Sequence, residues 1–158
     1  CNKTRNNWIY MNDNCISEFN KLIQMYVIYQ NNVKSLHLKT KGSHFFSIHV
    51  KWTDDLYERL GDTFDTIAER LLSIDWKRFD IPFIYDEEPK MTYIVNSDDF
   101  PTMLRKVRDT IEEICTEIKY CINIFKEIND EATVSLLSDI ELEEEKDLWK
   151  IKAFLDEV

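Results

Sequence analysis

His37 and His49 stand twelve residues apart, and Asp54, Asp65 and Glu69 follow within the next twenty. Imidazole nitrogens and carboxylate oxygens together make a ligand set suited to iron or zinc. Asp54, Asp65 and Glu69 lie at offsets of 0, 11 and 15 residues, close to whole helical turns. A helix of 3.6 residues per turn therefore carries all three along one stripe. Apolar residues share that stripe, so the acids are expected on a packed side rather than a solvated one.

The elements that must position these groups read as helices. From about Ser17, Phe19, Leu22, Ile23, Tyr26, Ile28, Tyr29, Val33 and Leu36 recur by threes and fours, and Gly42 punctuates the end. A second helix is expected from Ser43 or His44 to about Ile74, with Gly61 inside it at a cost of about 1 kcal/mol relative to Ala. Pro82 and Pro89 interrupt the pattern between about 75 and 97, where Met91–Val95 is expected to form one short helical turn. Asp98 and Asp99 ahead of Pro101 signal a helix start. That third helix should reach about Ile128, and after Asn129-Asp130 a fourth should run from Glu131 to about Phe154. Short joins on either side of one long middle crossover describe an all-α, ferritin-like four-helix bundle. The expected organisation is one domain over 1–158, with residues 1–12 as a polar N-terminal segment.

Composition agrees with an all-helical chain: 158 residues contain only two glycines and three prolines. The formal net charge of -10 argues against DNA as a direct partner, because duplex binding rests on Lys and Arg neutralising phosphates. Residues 1–12 supply only Lys3 and Arg5 for such a role. No apolar run is long enough to span a membrane. Cys115 and Cys121 read as buried, inert thiols, whereas Cys1 and Cys15 are expected nearer the surface. The expected location is the cytoplasm, with secretion or a lipid anchor through Cys1 as the alternative. None of the three histidines has a Glu three residues before it, so a di-iron centre inside one bundle is not expected.

The chain resembles the Dps-like miniferritins, the family of DNA-binding proteins from starved cells. The resemblance runs through Leu36-His37, the Gly42–His49 block, Asp54-Asp55-Leu56-Tyr57 and Asp65–Leu72. It continues in Met91–Val95, Asp130-Glu131-Ala132-Thr133 and Leu148-Trp149 to Phe154-Leu155. It implies a homo-dodecameric shell whose iron-oxidising sites lie at two-fold interfaces. His37 and His49 of one subunit would face Asp65 and Glu69 of its partner, with Asp54 as a further acid. It also implies ion-entry pores near the start of the last helix, here Asp130 and Glu131, where Ser135 replaces a further Asp.

This sequence departs from the family's spacing in one place. The family's acid follows the second histidine by four residues, but Asp54 follows His49 by five, and Thr53 holds the fourth position. One extra residue rotates His49 by about 100° relative to the acids on a regular helix. A π-type bulge near Val50–Thr53 is expected to absorb it. Leu38 also stands where the family commonly has Trp. His44 is expected near a helix start with no ligand role, and Trp52 in packing beside the site. The acids of Asp139–Glu145 read as a solvated helix face, which in a hollow shell would be the cavity wall.

The function expected from these features is oxidation of Fe(II) by hydrogen peroxide or oxygen, followed by storage as a ferric mineral core. The alternative is a non-catalytic shell or surface interaction protein that lost its site through the slip at His49. A third reading, an unrelated four-helix signalling protein, leaves the His/Asp/Glu spacing unexplained.

Overall fold

The structure, a computed structural model, describes residues 13–75 and 90–158. Four long helices account for most of it: α1 (Asp13–Lys39), α2 (Asp54–Asp75), α3 (Phe100–Glu127) and α4 (Glu131–Phe154). Between α1 and α2 lie a 3-10 turn (Gly42–His44) and a nine-residue π-helical segment (Phe45–Thr53). The joins between α1 and α2 and between α3 and α4 are short, and the connection from Asp75 to Phe100 is the long one. This is the ferritin-like bundle. Its middle crossover residues, 76–89, and the N-terminal segment lie outside the described residues.

The core is built from the periodic apolar faces. Phe19, Leu22, Tyr26, Tyr29 and Leu36 of α1 are fully buried with Leu60, Ile111, Ile114 and Phe125. Phe19 meets Phe125 edge-on at 5.1 Å between ring centroids. Gly42 closes the α1 end with φ +69°, a conformation that glycine adopts without steric cost. The Asp99 side chain caps α3 by accepting from the Thr102 N–H at 2.9 Å, with Pro101 in the first turn. Asn129 turns the chain at φ 59°, and Asp130 caps α4 through the Thr133 N–H at 3.1 Å.

Met91–Val95 is not helical, contrary to the expectation from sequence. Its backbone polar groups are taken by side chains instead of by one another. Buried Asn32 donates to the Thr92 carbonyl at 2.7 Å and accepts from the Ile94 N–H at 3.0 Å. Glu113 accepts from the Thr92 N–H at 3.0 Å. Once those groups are satisfied across the bundle, an isolated helical turn has nothing left to gain.

Cys15 lies deeper than its place near the N-terminus predicts. Cys115 and Cys121 are buried as expected, but so is Cys15, which packs into the core with no exposed surface. Burial pushes the Cys115 thiol up to about 12 and raises Cys121 further still. Thiolate is the reactive form. A thiol reagent at neutral pH is therefore expected to spare all three described cysteines in the native protein and to label them after denaturation. Mass spectrometry of labelled peptides reads the result, and rapid native labelling of Cys15 would refute its placement.

Candidate metal site

The extra residue between His49 and Asp54 has been absorbed. The whole stretch Phe45–Thr53 is π-helical, a longer segment than the expected bulge but one that includes it. Each π turn takes in one more residue than an α turn, so the segment gives back the rotation that the insertion imposed. The Thr53 hydroxyl shows the geometry directly, donating five residues back to the Ile48 carbonyl at 2.8 Å.

The consequence is that His49 points at His37. Their rings stack at 3.7 Å between centroids with planes 17° apart. Phe45 stacks on His49 at 4.5 Å, and Tyr57 meets His37 edge-on at 5.1 Å. His37 is buried and His49 half-buried. His49 Nδ1 lies 2.8 Å from the His37 carbonyl, which can only accept, so Nδ1 carries a proton and Nε2 is the nitrogen left to face a metal. His37 Nδ1 lies 3.0 Å from Thr53 Oγ1. Burial, and after it the neighbouring His49, lowers the His37 pKa, while Asp54 pulls the other way. A lowered value keeps the imidazole neutral at neutral pH, the state a metal requires.

The acids are placed differently from the expectation. Asp54, Asp65 and Glu69 are exposed rather than packed within one chain. Asp54 begins α2, acts electrostatically on His37, and accepts from the Tyr57 hydroxyl at 3.2 Å. Asp65 lies sixteen residues beyond His49, about 24 Å along a helix axis, so the chain does not bring it to its own histidines. Among the described residues, no group of three or more His, Cys, Asp and Glu is placed to hold a metal ion within one chain. What one chain assembles is the histidine pair with Asp54 near it. Asp65 and Glu69 sit one turn apart, open on the far part of α2.

Other candidates resolve plainly. His44 sits in the 3-10 turn, stacked on Phe100 at 4.7 Å and edge-on to Phe154. Trp52 packs towards α4, its indole N–H 3.5 Å from Asp147. Asp130 is buried and paired with Arg70 at 3.0 Å, whereas Glu131 is exposed. The acid run is not wholly a solvated face. Glu144 points into the bundle with no exposed surface, bound by Arg59 at 3.0 Å and by the Tyr26 hydroxyl at 3.0 Å. Arg59 also holds Asp147, at 2.7 Å. Charge runs usually face water, so nothing in α4 alone marks Glu144 as internal. Its partner lies 85 residues earlier. Thr53 and Phe45 are site residues that sequence reasoning had not assigned; the five-residue spacing from His49 to Asp54 was the one signal that drew attention to Thr53.

Comparison with known proteins gives one consistent result. The family model described as ferritin-like domain matches residues 16–158. DNA protection during starvation protein 2 of Bacillus anthracis is 29% identical over 147 residues, covering 93% of this chain and 100% of that one. General stress protein 20U of Bacillus subtilis is 27% identical over 145 residues, covering 92% of this chain and 99% of that one. Among solved structures, a Dps protein from Bacillus brevis superposes with a TM-score of 0.81 at 24% identity, covering 96% and 99% of the two chains. The Dps protein of Vibrio cholerae O1, described as a ferritin-like diiron-carboxylate protein, gives 0.80 at 23% identity over 90% and 89%.

Proposed function

This chain belongs to the ferritin-like domain family and is Dps-like within it, and from that premise we propose that it is a miniferritin that oxidises and stores iron. Fe(II) is the substrate. His37 and His49 of one copy would bind it through Nε2, facing Asp65 and Glu69 of a second copy across a two-fold interface, with Asp54 alongside. Imidazole suits Fe(II), and hard carboxylate oxygens suit the Fe(III) product. Two Fe(II) ions give one electron each to hydrogen peroxide, which takes two protons and leaves as two waters. Oxygen is the other oxidant to test. The ferric product would collect as a mineral inside a shell of twelve copies, with Glu131 and the buried Asp130 near the ion entrance.

The observation that carries this reading is the stacked histidine pair. The π segment turns His49 back towards His37, which supports the catalytic reading over the non-catalytic alternative. The rim supports a second copy as the other half of the site. Leu38 is 77% exposed, Phe46 71% and Val50 44%, an apolar border that a single chain leaves open to water.

Stopped-flow mixing of anaerobic Fe(II)-loaded protein with peroxide tests the proposal. Oxidation well ahead of iron in buffer, yielding a soluble ferric product, is the expected result. Buffer-like rates with precipitated iron would overturn it. DNA compaction is not part of the proposed function, and a gel shift without retardation at moderate salt is expected from the net charge of -10.

A further inference from the structure

We infer that Thr53, the residue standing where the family's spacing places an acid, is a positioning residue that fixes which nitrogen of His37 is free to bind metal. The inference rests on the reading above that His37 is an Fe(II) ligand.

Thr53 has no exposed surface. Its hydroxyl has one proton and two lone pairs. The Ile48 carbonyl, 2.8 Å away, can only accept, so it takes that proton; the His49 carbonyl at 3.4 Å is the weaker, secondary contact. With the proton committed, Thr53 Oγ1 can only accept from His37 Nδ1, 3.0 Å away. His37 Nδ1 is therefore the protonated nitrogen and Nε2 the bare one. His49 is locked in the same sense by a backbone carbonyl. Two stacked rings thus keep matching nitrogens available, His49 fixed by main chain and His37 by the Thr53 side chain, with the His49 backbone as a further hydrogen-bonding contact of His37.

The π geometry is what makes this possible. The hydroxyl bonds five residues back, the repeat of a π turn, so the insertion that displaced Asp54 also supplied Thr53 as a tautomer lock. Partners of a ligand's second nitrogen fix its tautomer and orientation, and their loss commonly costs about 10–100-fold in metal affinity.

Assembled protein carrying 15N-histidine has only three imidazoles to resolve. Solid-state 15N spectra, assigned with single His→Gln substitutions, report which nitrogen of each bears the proton, and Co(II) titration reports affinity. Wild type should show His37 protonated at Nδ1. Thr53→Val keeps the side chain's shape and removes the hydroxyl. It should populate the Nε2–H form of His37, leave His49 unchanged and weaken Co(II) binding by about 10–100-fold. Thr53→Ser should restore both readouts, which separates the lock from any effect on folding. A wild-type His37 protonated at Nε2, or Thr53→Val with unchanged tautomer and affinity, overturns the inference alone. A wild type that does not bind Co(II) overturns the site reading beneath it.

Discussion

Chains carrying His37→Ala with His49→Ala, and chains carrying Asp65→Asn with Glu69→Gln, should each lose Fe(II) oxidation by on the order of 100-fold or more, since even outer partners of metal ligands are worth 10–100-fold. Co-expressed, the two inactive chains should recover activity. A two-fold interface is isologous, so a mixed pair holds one site with both defects and one with neither. Random mixing makes half the pairs mixed, and about a quarter of all sites should then be intact. Stopped-flow rates per subunit on mixed shells, with composition set by mass spectrometry, measure this. No recovery in shells shown to contain both chains would rule out a site split between copies. The histidines meet within one chain, and Asp65 lies far beyond their reach.

Arg59→Met should destabilise the fold by about 3–5 kcal/mol at neutral pH, the usual cost of stripping one partner from a buried ion pair. Glu144 would then retain only the Tyr26 hydroxyl, beside the like charge of Asp147. Burial raises the Glu144 pKa, and Arg59 is the main force holding it down. Removing Arg59 raises it further, so the folded state of the variant prefers the neutral acid. For an acid whose folded pKa lies above its unfolded one, the penalty is full at pH above the folded value and fades as pH falls through it. Denaturation of variant and wild type at neutral and mildly acidic pH should show the gap narrowing on acidification. A gap independent of pH would mean that lost packing, not the orphaned carboxylate, causes the defect.

How much of this was legible in the sequence differs from residue to residue. One helix start was legible because caps act locally: Asp99 ahead of Pro101 caps α3 as their order predicts, whereas Asn129-Asp130 read only as a break and Asp130 proves to cap α4. The packed faces followed from the spacing of Phe19, Leu22, Tyr26 and Leu36, since periodicity reports directly which side meets apolar neighbours. The need for a π bulge was visible only against the family's spacing, and its nine-residue length was not visible at all. Glu144 and Asn32 were missed for a shared reason. Each is polar on its own helix and is buried by partners 60 or more residues away, and local pattern carries no record of such pairs. The acids at 54, 65 and 69 were expected on a packed side. Within one chain they face water, which fits a surface completed by a second copy.

The nine residues of Phe45–Thr53 also form a differently wound opening to the long second helix, ahead of α2. In an unbroken α-helix, every inserted or deleted residue rotates all that precedes it against all that follows. Here the π stretch would act as a phase adjuster: a change of one residue inside it should re-aim His49 and Thr53, while Asp65 and Glu69 lie on α2, whose buried face packs in the core. In the proposed site, the histidine half would then be open to retuning by chain length, apart from the acidic half.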